Sequence, residues 1–126
     1  MSAGPFVHNV RIYYEDTDFS GMVYHANYLR YMERAREHVI GPAELVRLWD
    51  EVGVGFVVYK AELTFREPAR FGDELEIRTT VEHPSEWRAV FHQDVHRAGS
   101  STPLVEGLIH LVAVDRAGKL TRLPTF

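Results

Sequence analysis

Three carboxylates, Glu15, Asp16 and Asp18, stand in one short run of sequence, followed by Gly21 and then by His25. At a carbonyl a carboxylate either attacks the carbon as a nucleophile or takes a proton from water as a general base. Both uses need a group that polarises the carbonyl oxygen. A helix N-terminus supplies one, because its first N–H groups have no intrahelical acceptor and carry the positive end of the dipole. Apolar residues take up helical spacing from about Tyr24: Tyr28, Met32, Ala35 and Val39 share one face, with Arg30, Glu33, Arg34 and Glu37 off it. Spacing alone leaves the choice between Asp16 and Asp18 open, since residues i and i+2 share a face in extended chain. It also leaves open a plainer use of these residues as Asx turns and caps, for which Asn27 or His25 is better placed than Asp18.

The elements that must position these groups follow from periodicity. After a loose lead-in over Met1–Pro5, alternation of Val10, Ile12 and Tyr14 with Arg11 and Tyr13 predicts a strand over Phe6–Tyr14. The helix runs to about Ile40, and Gly41-Pro42 stops it. Pro42 suits the first position of a second helix, Ala43–Asp50. A second strand is expected over Val54–Arg66, with Val57, Tyr59, Ala61, Leu63 and Phe65 on one face and Lys60, Glu62, Thr64 and Arg66 on the other. Glu67–Asp73 is a loop, Glu74–Glu82 a third strand, and His83-Pro84-Ser85 a turn. Further strands are predicted over Glu86–Arg97, Pro103–Val114 and, more briefly, Leu120–Leu123. One strand, a long helix and a run of antiparallel strands make a single α+β domain over residues 1–126, with the helix on the concave face of a curled sheet of five or six strands. In the fifth strand Val105, Leu108, Ile109, Leu111, Val112, Ala113 and Val114 put apolar groups on both faces. One helix covers only one of them, so a second subunit is expected to cover part of the other.

Composition narrows the classes. The chain has 126 residues, 45% of them hydrophobic, and no cysteine. It therefore has no disulfide framework, thiolate nucleophile or Cys-ligated zinc. No apolar run approaches the ~20 residues that span a bilayer, and Met1–Asn9 lacks the pattern of a signal peptide, so the expected compartment is the cytoplasm. A net charge of −4 and a pI near 5.9 give no basic footprint for nucleic acid. Twelve of the fourteen basic residues are Arg, a type suited to bidentate phosphate contacts.

Other chemistries find less support. His92 and His96 are four apart, but in a strand that spacing separates their Cα atoms by about 13 Å, too far for one metal. Asp16, Asp18 and His25 could approach one ion, yet no further ligand or supporting shell declares itself. No Gly-x-Ser-x-Gly elbow is present, and Gly53 and Gly55 precede a strand instead of following one. Neither metal nor other cofactor is expected.

The run Tyr14-Glu-Asp-Thr-Asp-x-x-Gly-x-Val-Tyr-His-x-Asn-Tyr-x-x-Tyr-x-Glu-x-Ala-Arg36 resembles the signature of the 4-hydroxybenzoyl-CoA thioesterase family. Within that family it is most similar to the short acyl-CoA thioesterases of the Tol–Pal-associated subgroup. The resemblance implies a hot-dog fold, hydrolysis of an acyl-CoA to free acid and coenzyme A, and active sites shared across a dimer interface, with a tetramer also in range. It implies that Asp18 carries the chemistry and that the main-chain N–H of His25 helps to polarise the carbonyl. It also implies substrate contacts at Gly21, Val23, Tyr24 and Asn27. The competing class is a non-catalytic hot-dog module that binds acyl-CoA or acyl carrier protein. An intact Asp18 and Gly21 favour the enzyme, because a binder needs no carboxylate beside a thioester. A hot-dog dehydratase fits less well, since those enzymes generally use a different His-containing motif.

Overall fold

The computed structural model describes residues 4–126. The lead-in expected over Met1–Pro5 lies outside the described residues, apart from Gly4 and Pro5. Six strands form one antiparallel sheet: β1 (Phe6–Arg11), β2 (Gly55–Phe65), β3 (Glu74–Ser85), β4 (Arg88–Arg97), β5 (Pro103–Val114) and β6 (Leu120–Thr121). Their order is β1-β3-β4-β5-β2, and β6 also pairs with β5. Two helices, α1 (Asn27–Ile40) and α2 (Pro42–Arg47), lie between β1 and β2 in the chain. This is the α+β hot-dog arrangement, one long helix against one face of an antiparallel sheet.

The helical stripe is as the spacing requires. Tyr28, Met32 and Ala35 are buried, joined by Tyr31 and Arg36, while Arg30, Glu33, Arg34 and Glu37 face solvent. Beneath the helix lie Leu75 and Ile77 of β3, Phe91 and Val95 of β4, and Val105, Ile109 and Leu111 of β5. Each such side chain contributes about 1.5–3 kcal/mol through removal from water. The end of the Met32 side chain reaches over β5 because residue 107 is glycine. A Cβ there would lie 2.8 Å from Met32 Cε and 3.1 Å from the Gln93 carbonyl oxygen.

Arg36 departs from the amphipathic pattern, being only 8% exposed. Its Nη1 donates to Oε1 of Gln93 (2.9 Å), and Gln93 Nε2 donates to the Met32 carbonyl (2.9 Å) and to Thr79 Oγ1 (3.1 Å). Gln93 and Thr79 are themselves fully buried. One amide thus ties α1 to β3 and β4 and supplies an acceptor to a buried cation, whose desolvation pulls its pKa down.

Several boundaries move, each for a local reason. β1 ends at Arg11, and Tyr14, expected on its core face, is 78% exposed. The chain turns there because the Asp16 carboxylate accepts the Tyr13 N–H (2.8 Å). The second helix becomes a single π turn over Leu48–Val52, whose Trp49 and Asp50 carbonyls accept hydrogen bonds from Arg116. In β2 the pairing with β5 slips between Val58 and Lys60. Val57 therefore pairs with Val112 on the outer face, while Ala61, Leu63 and Phe65 stay on the helix side. The turn expected at His83-Pro84-Ser85 falls instead at Glu86-Trp87, and Pro84 sits in β3 at an irregular register, where no ladder N–H is required.

β5 is two-faced as expected: Val105, Gly107, Ile109, Leu111 and Ala113 are buried, and Leu108, Val112 and Val114 are half-buried on the opposite side. Replacing Gln93 by Leu would leave the Arg36 guanidinium buried without its acceptor. The Gln93→Leu variant is expected to lose about 2–3 kcal/mol in urea unfolding, and adding Arg36→Met should restore at least half of that loss.

Candidate active site

Between β1 and α1 the chain folds back on itself twice. A single 3₁₀ turn spans Tyr14–Asp16. The Asp16 carbonyl then accepts the Tyr24 N–H (3.0 Å) and Asn27 Nδ2 (2.9 Å), which pins the turn to the start of the helix. Next, Thr17 bridges to Val23 and closes a tight loop over residues 18–22. Inside it the Asp18 N–H donates to the Met22 carbonyl (2.7 Å) and the Gly21 N–H to the Asp18 carbonyl (3.2 Å). Gly21 has φ of +81°, a left-handed conformation that glycine adopts without steric penalty. Phe19, at the tip, is fully exposed.

A second loop, from the end of β2 to the start of β3, clasps the first. Val23 N–H donates to the Ala69 carbonyl (2.8 Å), Phe71 N–H to the Gly21 carbonyl (3.1 Å), and Ile12 N–H to the Asp73 carbonyl (2.9 Å). Tyr28 reaches across from α1, where its Oη accepts the Ala69 N–H (3.0 Å). Burial pushes the Tyr28 hydroxyl above the ordinary phenol range. Arg97 of β4 braces the same loop through Asp73 Oδ2 (3.2 Å) and the Pro68 carbonyl (3.1 Å).

These walls enclose a cleft of about 310 Å³. Asp18, Met22, Val23, His25 and Tyr28 form one side, and Phe65, Arg66, Glu67 and Pro68 the other. Oδ1 of Asp18 accepts three hydrogen bonds, from Ser20 N–H (2.8 Å), Ser20 Oγ (2.7 Å) and Met22 N–H (3.3 Å). Oδ2 accepts none among the described residues. The Ser20 hydroxyl, followed by the Ser20 N–H, holds this carboxyl below the usual carboxylate range. At the helix start, Asn27 N–H donates to the Tyr24 carbonyl and Tyr28 N–H to that of His25. The N–H groups of His25 and Ala26, one step earlier, donate to nothing among the described residues. The His25 ring packs on Tyr24 (4.7 Å between centroids) and edge-on to Phe65 (6.2 Å). Asp18, with a free carboxylate oxygen, and His25, with an unspent N–H, thus line one cleft, the complement that a carbonyl under attack requires.

Of the residues singled out from the sequence, Asp18, Val23 and His25 line the cleft. Gly21, Tyr24 and Asn27 do not: they shape the turn and its link to the helix. Neither Asn27 nor His25 caps α1 through its side chain, since Ala26 occupies the N-cap position and Asn27 bonds the Asp16 carbonyl instead. Asp16 and Asp18 have separate partners although Thr17 between them is extended: the Asp16 carboxylate turns back to the Tyr13 N–H, while Asp18 engages Ser20 and Met22. Sequence reasoning missed the far wall, Phe65–Pro68, which reads only as a strand end and a loop. It also placed Tyr28 on the core face without reading its hydroxyl as a cross-link. Among the described residues no three His, Asp or Glu side chains gather to a metal-sized cluster. His92 lies beside Glu82 (3.2 Å) and His96 on the Ser100 carbonyl (3.0 Å).

A profile of the thioesterase-like superfamily matches residues 12–126, and so takes in the cleft and nearly all of the sheet. The chain belongs to the thioesterase-like superfamily. Among its thioesterase-like relatives, the acyl-CoA thioesterase YbgC of Helicobacter pylori is 42% identical over 86 residues, 68% of this chain and 63% of that protein. The chain thus matches less than two thirds of the Helicobacter protein's length. The acyl-CoA thioester hydrolase YbgC of Escherichia coli O157:H7 is 40% identical over 108 residues, 84% of this chain and 79% of that one. Among solved thioesterase-like structures, a probable thioesterase from Bartonella henselae superposes with a TM-score of 0.87 at 31% identity, covering 97% of this chain and all of that one.

Tyr28→Phe keeps the ring and removes the acceptor for the Ala69 N–H. The expected outcome is a stability loss of about 1–2 kcal/mol, together with faster hydrogen exchange at the Ala69 amide than at the β4–β5 ladder.

Proposed function

We propose that this chain is a cytoplasmic acyl-CoA thioesterase, acting as one domain over residues 1–126 and grouping with the YbgC-type, Tol–Pal-associated enzymes of the 4-hydroxybenzoyl-CoA thioesterase family. The observation that carries this reading is the presence, on one wall of one cleft, of Asp18 with a free Oδ2 and of His25 with an unspent N–H. The thioester carbonyl oxygen points at the His25 and Ala26 N–H groups, which strengthen their hold as negative charge develops. Asp18 Oδ2 then either attacks the carbonyl carbon, giving an acyl–Asp18 anhydride that water hydrolyses, or takes the proton of a water that attacks directly. On both routes the C–S bond breaks, one water is consumed, and the products are a free acid and the thiol of coenzyme A. The Met22, Val23, Phe65 and Pro68 side chains give the acyl group an apolar wall.

The division of labour within the site is testable. Thiol release is measured from short aliphatic, long aliphatic and aromatic acyl-CoAs. Asp18→Asn keeps the shape and is expected to lower kcat at least ~10³-fold, about 4 kcal/mol, with thermal stability retained. His25→Ala keeps the main-chain N–H and should lose only on the order of tenfold. Near wild-type hydrolysis by Asp18→Asn would remove the mechanism, and no thiol release by the wild type on any substrate would favour the binding module.

Self-association is part of this proposal. β2 is an edge strand, hydrogen-bonded on one side only, and its Val57, Val58 and Tyr59 are exposed. Val112 and Leu120 on the outer face share an apolar hollow with Tyr59 and Trp87. A second copy pairing along β2 satisfies the open backbone groups and brings a second chain to the Phe65 wall of the cleft. Light scattering is expected to give at least twice the chain mass; a particle of 14.5 kDa at micromolar concentration contradicts it.

A further inference from the structure

The loop carrying Asp18 is already closed by main-chain hydrogen bonds: Asp18 N–H to the Met22 carbonyl, Gly21 N–H to the Asp18 carbonyl, and the Thr17–Val23 bridge. The Ser20 and Met22 N–H groups on Asp18 Oδ1 add the side-chain contacts that turns of this kind use. The Ser20 hydroxyl is surplus to all of this. It lies on the exposed surface, where water would satisfy it, yet it donates to Asp18 Oδ1 at 2.7 Å, the shortest of the three contacts to that oxygen. The two oxygens of a carboxylate are chemically equal and the terminal torsion of Asp is broad, so donors alone decide which oxygen faces the cleft.

We infer that Ser20 is a positioning residue: its hydroxyl clamps Oδ1 of Asp18 and so presents Oδ2 as the oxygen that meets the substrate. This rests on the thioesterase reading above. The clamp holds the carboxylate rotation that aims Oδ2 toward the carbonyl bound at the His25 N–H. Orientation of this kind acts on kcat and leaves substrate affinity nearly untouched. Electrostatics move with geometry. A donor on the ionised carboxylate favours its charged form, so removing the hydroxyl raises the pH at which Asp18 titrates and shifts the acid limb of kcat/KM the same way. The other ionisable groups that line the cleft with Asp18 are His25, Tyr28, Arg66 and Glu67, and Arg66 is paired with Glu106 (2.7 Å). Asp16, on the same turn, is engaged with the Tyr13 N–H.

The test compares the wild type with Ser20→Ala, which deletes the hydroxyl, and Ser20→Thr, which keeps it. Ser20 is exposed, and circular dichroism melts verify that each variant folds. Two quantities are read: kcat and KM on the best acyl-CoA of the panel, and the titration of the Asp18 side-chain carboxyl followed by its ¹³C resonance. Ser20→Ala is expected to lower kcat about tenfold, with KM within about twofold, and to raise the Asp18 midpoint. Ser20→Thr is expected to return both to near wild type. Unchanged kcat and midpoint in Ser20→Ala overturn the proposal, as does equal impairment of the Ala and Thr variants. A wild type that hydrolyses no acyl-CoA would instead bring down the thioesterase reading. The carbon titration would still decide whether Ser20 holds Asp18.

Discussion

Residue 107 has no side chain, and the end of the Met32 side chain occupies the space. With Met32 resting where a Cβ would project, α1 can come near enough to the sheet for Gln93 to reach the Met32 carbonyl and the Arg36 guanidinium together. A longer residue at 107 would meet the end of the Met32 side chain and the Gln93 carbonyl, beside these short contacts. The helix has one fixed height and one fixed rotation over the sheet, and close-packed interiors admit little compromise on either. Everything at its N-terminal end inherits that setting. Tyr28 bonds the Ala69 N–H from the first turn of this helix, and His25 and Ala26 stand just ahead of it.

Two carboxylates two residues apart take different environments from the same turn. Asp16 turns back toward Tyr13, and its carbonyl is spent on Tyr24 and Asn27. It belongs to the scaffold. Asp18 stands at the rim of the cleft with one oxygen saturated by donors and the other open. Hydrogen bonds to a carboxylate favour its ionised form, and those from Ser20 and Met22 hold Asp18 below the usual carboxylate range.

Much of the architecture was legible because its signal is periodic. The buried stripe Tyr28, Met32, Ala35, the stop at Gly41-Pro42, and β5 from Pro103 to Val114 fall where apolar spacing puts them. What was not legible depended on single hydrogen bonds or on register. Tyr14 looked like a core residue because nothing in its neighbours announces that Asp16 will capture the Tyr13 N–H. The slip at Tyr59 moved Val57 to the outer face, as a one-residue shift in a strand must. The cleft was half visible. The Asp18–His25 side is contiguous in sequence, whereas Phe65–Pro68 arrives from the other end of β2 and has no local pattern of its own. The near-total burial of Arg36 was hidden for a related reason, since its acceptor, Gln93, is 57 residues away.

The clasp between the two loops has a kinetic consequence. Val23 bonds Ala69, Gly21 bonds Phe71, and Ile12 bonds Asp73, so each stitch closes a long stretch of chain and costs loop entropy before it returns any enthalpy. β2 meets β5 across a comparable interval, from Gly55 to Val114 at its widest. Non-local pairings of this kind form late and slowly compared with helices or hairpins. The helix and the β3–β4 and β4–β5 hairpins can assemble from neighbouring sequence while the loop around Asp18 is still open. A chain caught at that stage already has most of its regular structure but no carboxylate aimed at anything. Competence for chemistry therefore waits on long-range contacts and not on the local elements.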